Sequence, residues 1–243
     1  MSLTRTVVWS ALLLALGLVG GGALIGHGFQ AGRAVQRHVT VKGLAQRDVR
    51  ADLALWPIRF VSTADDLARA QRTIAESEAA IRSFLARYGL DSTHVELQHL
   101  EVTDALANPY RSGPATSRYV ISQSLMVRSE DPERVRHASQ DVGVLVDAGV
   151  VLSSSGGPGG GPTYLFTRLN DLKPEMIAEA TRQARRAAEQ FAEDSGSRLG
   201  KILRANQGVF VIRPRDRAPG IREESQMNKT VRVVSTIDYL LSD

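Results

Sequence analysis

The chain has 243 residues, 43% hydrophobic and 23% charged, a composition that suits a globular protein with enough length beyond its N-terminal apolar segment for one large domain or two halves sharing a core. Thirty Lys and Arg stand against 26 Asp and Glu, a net charge of +4. No one-signed basic stripe occurs and aromatics are only 5%, which argues against a nucleic-acid footprint. Without cysteine, disulfides, thiolate catalysis and Cys-ligated metals are excluded.

A short tail, residues 1–6, precedes Val7 to Ile25, VVWSALLLALGLVGGGALI, which carries no charge. At about 1.5 Å per residue this stretch matches the hydrocarbon thickness of a bilayer. Two readings stand. A retained transmembrane anchor over residues 7–29 is favoured, because the apolar run exceeds the usual signal length. A cleaved signal segment is the alternative, with Gly32-Arg33-Ala34 as its weak small-x-small site. Arg5 on one side and Arg33, Arg37 and Lys42 on the other leave the charge rule undecided. Gly17 with Gly21, and Gly22 with Gly26, have the spacing that lets two membrane helices approach.

Residues 37–243 read as the folded part. His38 to Lys42 alternates as a strand, with Gly43 expected to turn the chain out. Leu53 to Ser62 is a second strand with Trp56, Ile58 and Phe60 on one side, and Pro57 demands an edge or a bulge. Thr63-Ala-Asp-Asp66 is a capping signature for a long helix whose apolar stripe is Leu67, Ala70, Ile74, Ile81, Phe84, Leu85 and Tyr88, ended by Gly89. Ser77 interrupts the seam, so a helix on a sheet is preferred over a coiled coil.

Val95 to Val102 and Tyr119 to Arg128 read as strands, joined by an exposed loop from Ala105 to Ser117. Asp131-Pro132 opens a shorter helix carrying Val135, Ala138, Val142 and Leu145 to near Gly149. Val150 to Ser153 is a brief strand, Ser154 to Pro162 a glycine-rich connector, and Thr163 to Arg168 another strand. The next helix, Leu169 to Gly196, organises the second half. Met176, Ile177, Ala180, Ala184, Ala187, Ala188 and Phe191 recur at helical spacing, Asp171 is expected as its cap, and Pro174 should fall in its first turn. The middle alanines predict close contact with a sheet. Ile202 to Arg213 is a strand with a bulge at Asn206-Gln207-Gly208, Arg215 to Ser225 a charged loop, and Thr230 to Leu241 a closing strand with Val231, Val233, Ile237, Tyr239 and Leu241 inward. The order predicts an α+β fold: antiparallel sheet, long amphipathic helices on one face, and two similar strand-helix-strand halves.

No catalytic, cofactor-binding or metal site emerges. The connector 154–162 feeds a strand instead of a helix and matches no phosphate-loop pattern. His27, His38, His94, His99 and His137 fit no metal motif, and His94 and His99 should project to opposite faces of a regular strand. No G-x-S-x-G elbow is present and no carboxylate pair stands out. Asn170 to Pro174 reads as a cap and turn before it reads as an anion site.

Val39 to Ala45 (VTVKGLA), Ala51 to Val61 (ADLALWPIRFV), Tyr119 to Ser129, Pro162 to Gly200 and Lys229 to Leu241 together resemble the SIMPL-domain family, in the right order across nearly all of the chain after Arg37. The family includes bacterial periplasmic proteins linked to oxidative-stress defence and a periplasmic immunogenic protein. The resemblance implies an exported α+β domain, sometimes assembled into large oligomers, and carries no catalytic motif. The resulting expectation is a non-enzymatic protein held in the inner membrane by Val7 to Ile25 in a single pass, with its C-terminal domain in the periplasm. It self-associates as a homo-oligomer, possesses no cofactor and binds no nucleic acid. A binding module for a lipid or small hydrophobic ligand is the alternative; the ligand is unknown.

Overall fold

The structure is a computed structural model that describes residues 9, 14–26, 37–107, 117–153, 160–216 and 218–243. The glycine-rich stretch at 154–159, most of the 105–117 loop, His27 and the Gly32-Arg33-Ala34 site lie outside the described residues. Residues 14–26 are helical (α1). At about 1.5 Å per residue α1 spans roughly 20 Å, and among the described residues no helix is long and apolar enough to cross a membrane. The rest of the expected anchor, residues 7, 8, 10–13 and 27–29, lies outside them. A Cβ placed on Gly17, Gly21, Gly22 or Gly26 would meet nothing within 4 Å.

The remaining elements run β1 (His38–Arg50), β2 (Leu53–Ala64), α2 (Leu67–Ala86), β3 (Val95–Asp104), β4 (Tyr119–Ser129), α3 (Pro132–Gln140), α4 (Gly143–Asp147), β5 (Thr163–Leu165), α5 (Leu169–Asp194), β6 (Arg198–Gln207), β7 (Val211–Pro214), a 3-10 turn (Glu223–Ser225) and β8 (Asn228–Ser242). The α+β class holds. In place of one sheet there are, among the described residues, two of four strands, ordered β3-β4-β2-β5 and β1-β8-β6 with β7 also on β8. Period-2 alternation shows which face of a strand is buried, but not which strand lies beside it, so the number of sheets was not readable from the pattern.

The chain forms two compact units. The larger comprises Gly43–Gln183 and Gln207–Ser235. In it, α2 lies on β2 and β4. Asp66 caps α2 by accepting from the Arg69 N–H at 2.9 Å, and Gly89 ends the turn at φ 71°. Ala70, Ile74, Ile81, Phe84 and Leu85 pack with Trp56, Ile58, Phe60, Ile121, Leu125 and Val127. Phe60 is fully buried, a contribution of about 2–3 kcal/mol from apolar area alone. Three polar side chains inside find partners: Ser77 donates to Thr73 O at 2.8 Å, Ser62 to Ala70 O at 2.8 Å, and Gln123 Nε2 to Glu78 Oε2 at 2.5 Å.

Pro57 sits inside β2 opposite Met126 of β4. On its other side β5 pairs only with Leu53 to Leu55, and Leu152 bridges Phe60. The missing N–H therefore falls where that side has no ladder, although β2 is not an edge strand. Val150 to Ser153 forms this bridge instead of a strand. The helix expected from Asp131 to Gly149 is two helices, α3 and α4, because the Asp141 N–H turns back to His137 O and Ala138 O and closes α3.

The strand β1 does not turn out at Gly43; Gly43 and Ala45 continue the alternation of buried positions that Val41 begins. Ala45 packs with Met176, Ala180, Val231 and Val233. Small side chains there admit the helix closely, which is why the strand persists through a glycine. At Gly208 a Cβ would stand 2.6 Å from Val234 O, and the Gly208 N–H donates to that oxygen at 2.8 Å. The expected bulge is this break between β6 and β7.

The smaller unit is formed by Met1–Lys42, Ala184–Asn206 and Thr236–Asp243. Here Ala184 and Ala188 pack on Val41, Ile237 and Tyr239, Thr40 Oγ1 donates to Asp238 Oδ1 at 2.7 Å, and Gly196 ends α5 at φ 65°. The buried residues of α5 fall at strict four-residue steps from Met176 through Ala192. Phe191, expected inward, is 58% exposed and Ile177 only half-buried; a single i, i+4 ridge is narrower than the stripe that hydrophobicity suggested.

Candidate functional site

The start of α5 is assembled from distant sequence. The helix begins at Leu169, two residues before Asp171, and Pro174 lies inside it, past the first turn. Asp171 therefore does not cap. Instead Asp52, from the β1–β2 turn, accepts from the Thr167 N–H at 2.8 Å, Thr167 Oγ1 at 3.1 Å, and the Arg168 N–H and Nε at 3.2 Å each. Burial pushes the Asp52 carboxyl up, but these four donors together hold it below the usual carboxylate value. Accepting four hydrogen bonds, Asp52 is engaged in holding the start of α5.

One open cleft, with a volume of about 520 Å³, lies in the larger unit, bounded by α3, β5 and the residues around the end of the 3-10 turn. Glu133 of α3 pairs with Arg50, and with Arg136 Nε at 2.6 Å. One carboxylate shared by two guanidiniums leaves a net positive charge, which suits a small anion. The three side chains are 32–60% exposed, so water screens them and the pairs contribute little to stability. Tyr164 of β5 is buried on one wall; burial pushes its phenol up, against the smaller opposing effects of the Ser139 hydrogen bond and the Arg136 charge. Nothing in the cleft joins a nucleophile to a base.

Beneath the charged loop 215–225 lies a lysine that the sequence did not single out. Lys229 is fully buried, donates to Glu223 O at 2.7 Å and pairs with the Glu223 carboxylate. It pins the 3-10 turn to β8. A lysine opening an alternating strand gives no sign of this, because its partner comes from the preceding loop.

The histidines are not gathered. His94 precedes β3 and bonds Asp91 Oδ1 at 2.9 Å; His99 is exposed on β3, 3.7 Å from Glu101; His137 bonds Arg136 on α3. Among the described residues no three His, Cys, Asp or Glu side chains are placed to hold a metal. Asp91 is held down to about 2 by the Thr93 hydroxyl first, then by His94 and the Thr93 N–H. Asn170 Oδ1 accepts from Lys173 Nζ at 2.8 Å.

A second groove, about 390 Å³, lies beside β2 at Pro57 and is walled by Ile58, Val142, Leu152 and Pro162, with Arg59 and Ser139 also in its lining.

The model of one family, SIMPL, described as a protein of unknown function (DUF541), matches residues 39–237. No curated protein matches the chain.

Proposed function

This chain belongs to the SIMPL family, and from that premise we propose that it is a membrane-tethered envelope protein that works by self-association, without chemistry on a substrate, in support of envelope or oxidative-stress tolerance. Its N-terminal apolar segment holds it in the inner membrane, and residues 37–243 stand on the periplasmic side. The observation that carries the tether is α1: Leu14, Leu16, Leu18, Val19, Leu24 and Ile25 are each 65–77% exposed. Apolar on every side, such a helix needs hydrocarbon or another apolar surface around it. Direct peroxide scavenging is a poor fit, since there is no cysteine and the chain has four methionines, of which Met176 is fully buried.

The test has two parts. Protease added to spheroplasts should degrade the body, and the intact chain extracted in mild detergent should scatter light as an oligomer at micromolar concentration. A protected body, or an N-terminus found near Val35, overturns the tether; a monomer overturns self-association. A lipid or small hydrophobe in the groove beside β2 is the second reading, favoured by the apolar part of its wall, Pro57, Ile58, Val142 and Leu152. Native mass spectrometry of the extracted chain should then show added ligand mass, and a consistently bare mass refutes it.

A further inference from the structure

Among the described residues two strands differ from the others in being exposed on both faces. In β3 every residue from Glu96 to Thr103 is exposed, and in β6 every residue except the half-buried Leu199. Each is ten residues long and ends its sheet, β3 beside β4 alone and β6 beside β8 alone, so among the described residues each has an unpaired backbone edge. Long open edges with apolar side chains favour strand addition. A gap between Leu97 and His99 in the β3 ladder makes Gln98 an extra residue, and as a result Leu97, Leu100 and Val102 all oppose core positions of β4, namely Leu125, Gln123 and Ile121. These three side chains are nevertheless 47–55% exposed. β6 likewise exposes Ile202 and Leu203 at 50% and 49%.

The two edges carry opposite charge. β3 (VELQHLEVTD) has Glu96, Glu101 and Asp104 and no Lys or Arg; β6 (RLGKILRANQ) has Arg198, Lys201 and Arg204 and no acid. Asp104 is engaged by Arg118 at 3.0 Å. Arg198, Lys201, Arg204 and Glu96 make no ion pair among the described residues. Each edge thus repels its own kind and accepts the other. Counted along the β3 ladder, an antiparallel alignment that sets Glu96 against Arg204 also sets Leu97 against Leu203 and Val102 against Leu199. It leaves Glu101 one diagonal step from Arg198, within reach of long side chains.

We propose that copies of this chain join edge to edge, β3 of one against β6 of the next, with Glu96 and Glu101 facing Arg204 and Arg198. The contact is heterologous, so it propagates from copy to copy into a ring or a filament and does not stop at a two-fold dimer. It rests on the self-association proposed above and names its surface.

The experiment uses the full chain in detergent, with mass read by light scattering. E96K/E101K carries positive charge on both edges and R198E/R204E negative charge on both, so each alone should lose assembly by roughly hundredfold or more in dissociation constant. An equimolar mixture of the two should reassemble, because every β3 then meets a β6 of opposite sign, and this also shows that both variants are folded. If the unaltered chain assembles and either variant assembles equally well, the copies meet elsewhere and this interface is refuted while self-association stands. If both variants are monomeric and their mixture stays monomeric, the charge pairing is refuted. A monomeric unaltered chain removes the underlying reading and the interface with it.

Discussion

Removing the Asp52 carboxylate tests whether a residue more than a hundred positions away holds the start of α5. The side chain is 12% exposed and accepts four hydrogen bonds. In D52A the N–H groups of Thr167 and Arg168, both exposed residues, lose their acceptor and turn to water; losing a cap-like acceptor costs about 1–2 kcal/mol, so a destabilisation of that size is expected. D52N keeps an oxygen where Oδ1 meets Thr167 and should lose about 1 kcal/mol. The Arg168 ion pair is minor, because that side chain is 70% exposed, and R168A should cost well under about 1 kcal/mol. For a folded part of this size about 1–2 kcal/mol lowers Tm by roughly 2–8 °C, read by far-UV circular dichroism. The pH arm follows from the lowered carboxyl: the contribution is present above the unfolded value, near ~3.9, and disappears as pH falls through the still lower folded value. The unaltered chain should thus converge on D52A in strong acid. A D52A chain within about 0.5 kcal/mol of the parent at pH 7 would refute the reasoning.

Two further outcomes are expected. Gly208→Ala, which places a Cβ 2.6 Å from Val234 O beside the bond that the Gly208 N–H makes, should cost about 2–3 kcal/mol in urea unfolding, whereas Gly143→Ala, with nothing within 4 Å of its Cβ, should not destabilise. Carbonyl carbon NMR should find Asp91 titrating at about 2, with its small stabilising effect present above the ordinary carboxylate range and lost as pH falls through about 2; Thr93→Ala should move that midpoint up toward ~3.9.

What the sequence alone determined was what short-range chemistry writes down. Asp66 and Asp131 start their helices where capping residues precede periodic apolar runs, Gly89 and Gly196 end theirs at positive φ, and Trp56, Ile58 and Phe60 are buried together because alternate side chains of a strand share a face. The tertiary structure alone decided whatever depends on which segments meet. It produced two sheets in place of one, gave the start of α5 to Asp52 instead of Asp171, and buried Lys229 under a loop read as open charge. It also left β3 and β6 uncovered on both faces although their patterns are as strand-like as the rest. Periodicity records how a residue is oriented within its own element; pairing, capping across the chain and exposed edges depend on contacts between residues far apart in sequence, and no local pattern encodes those.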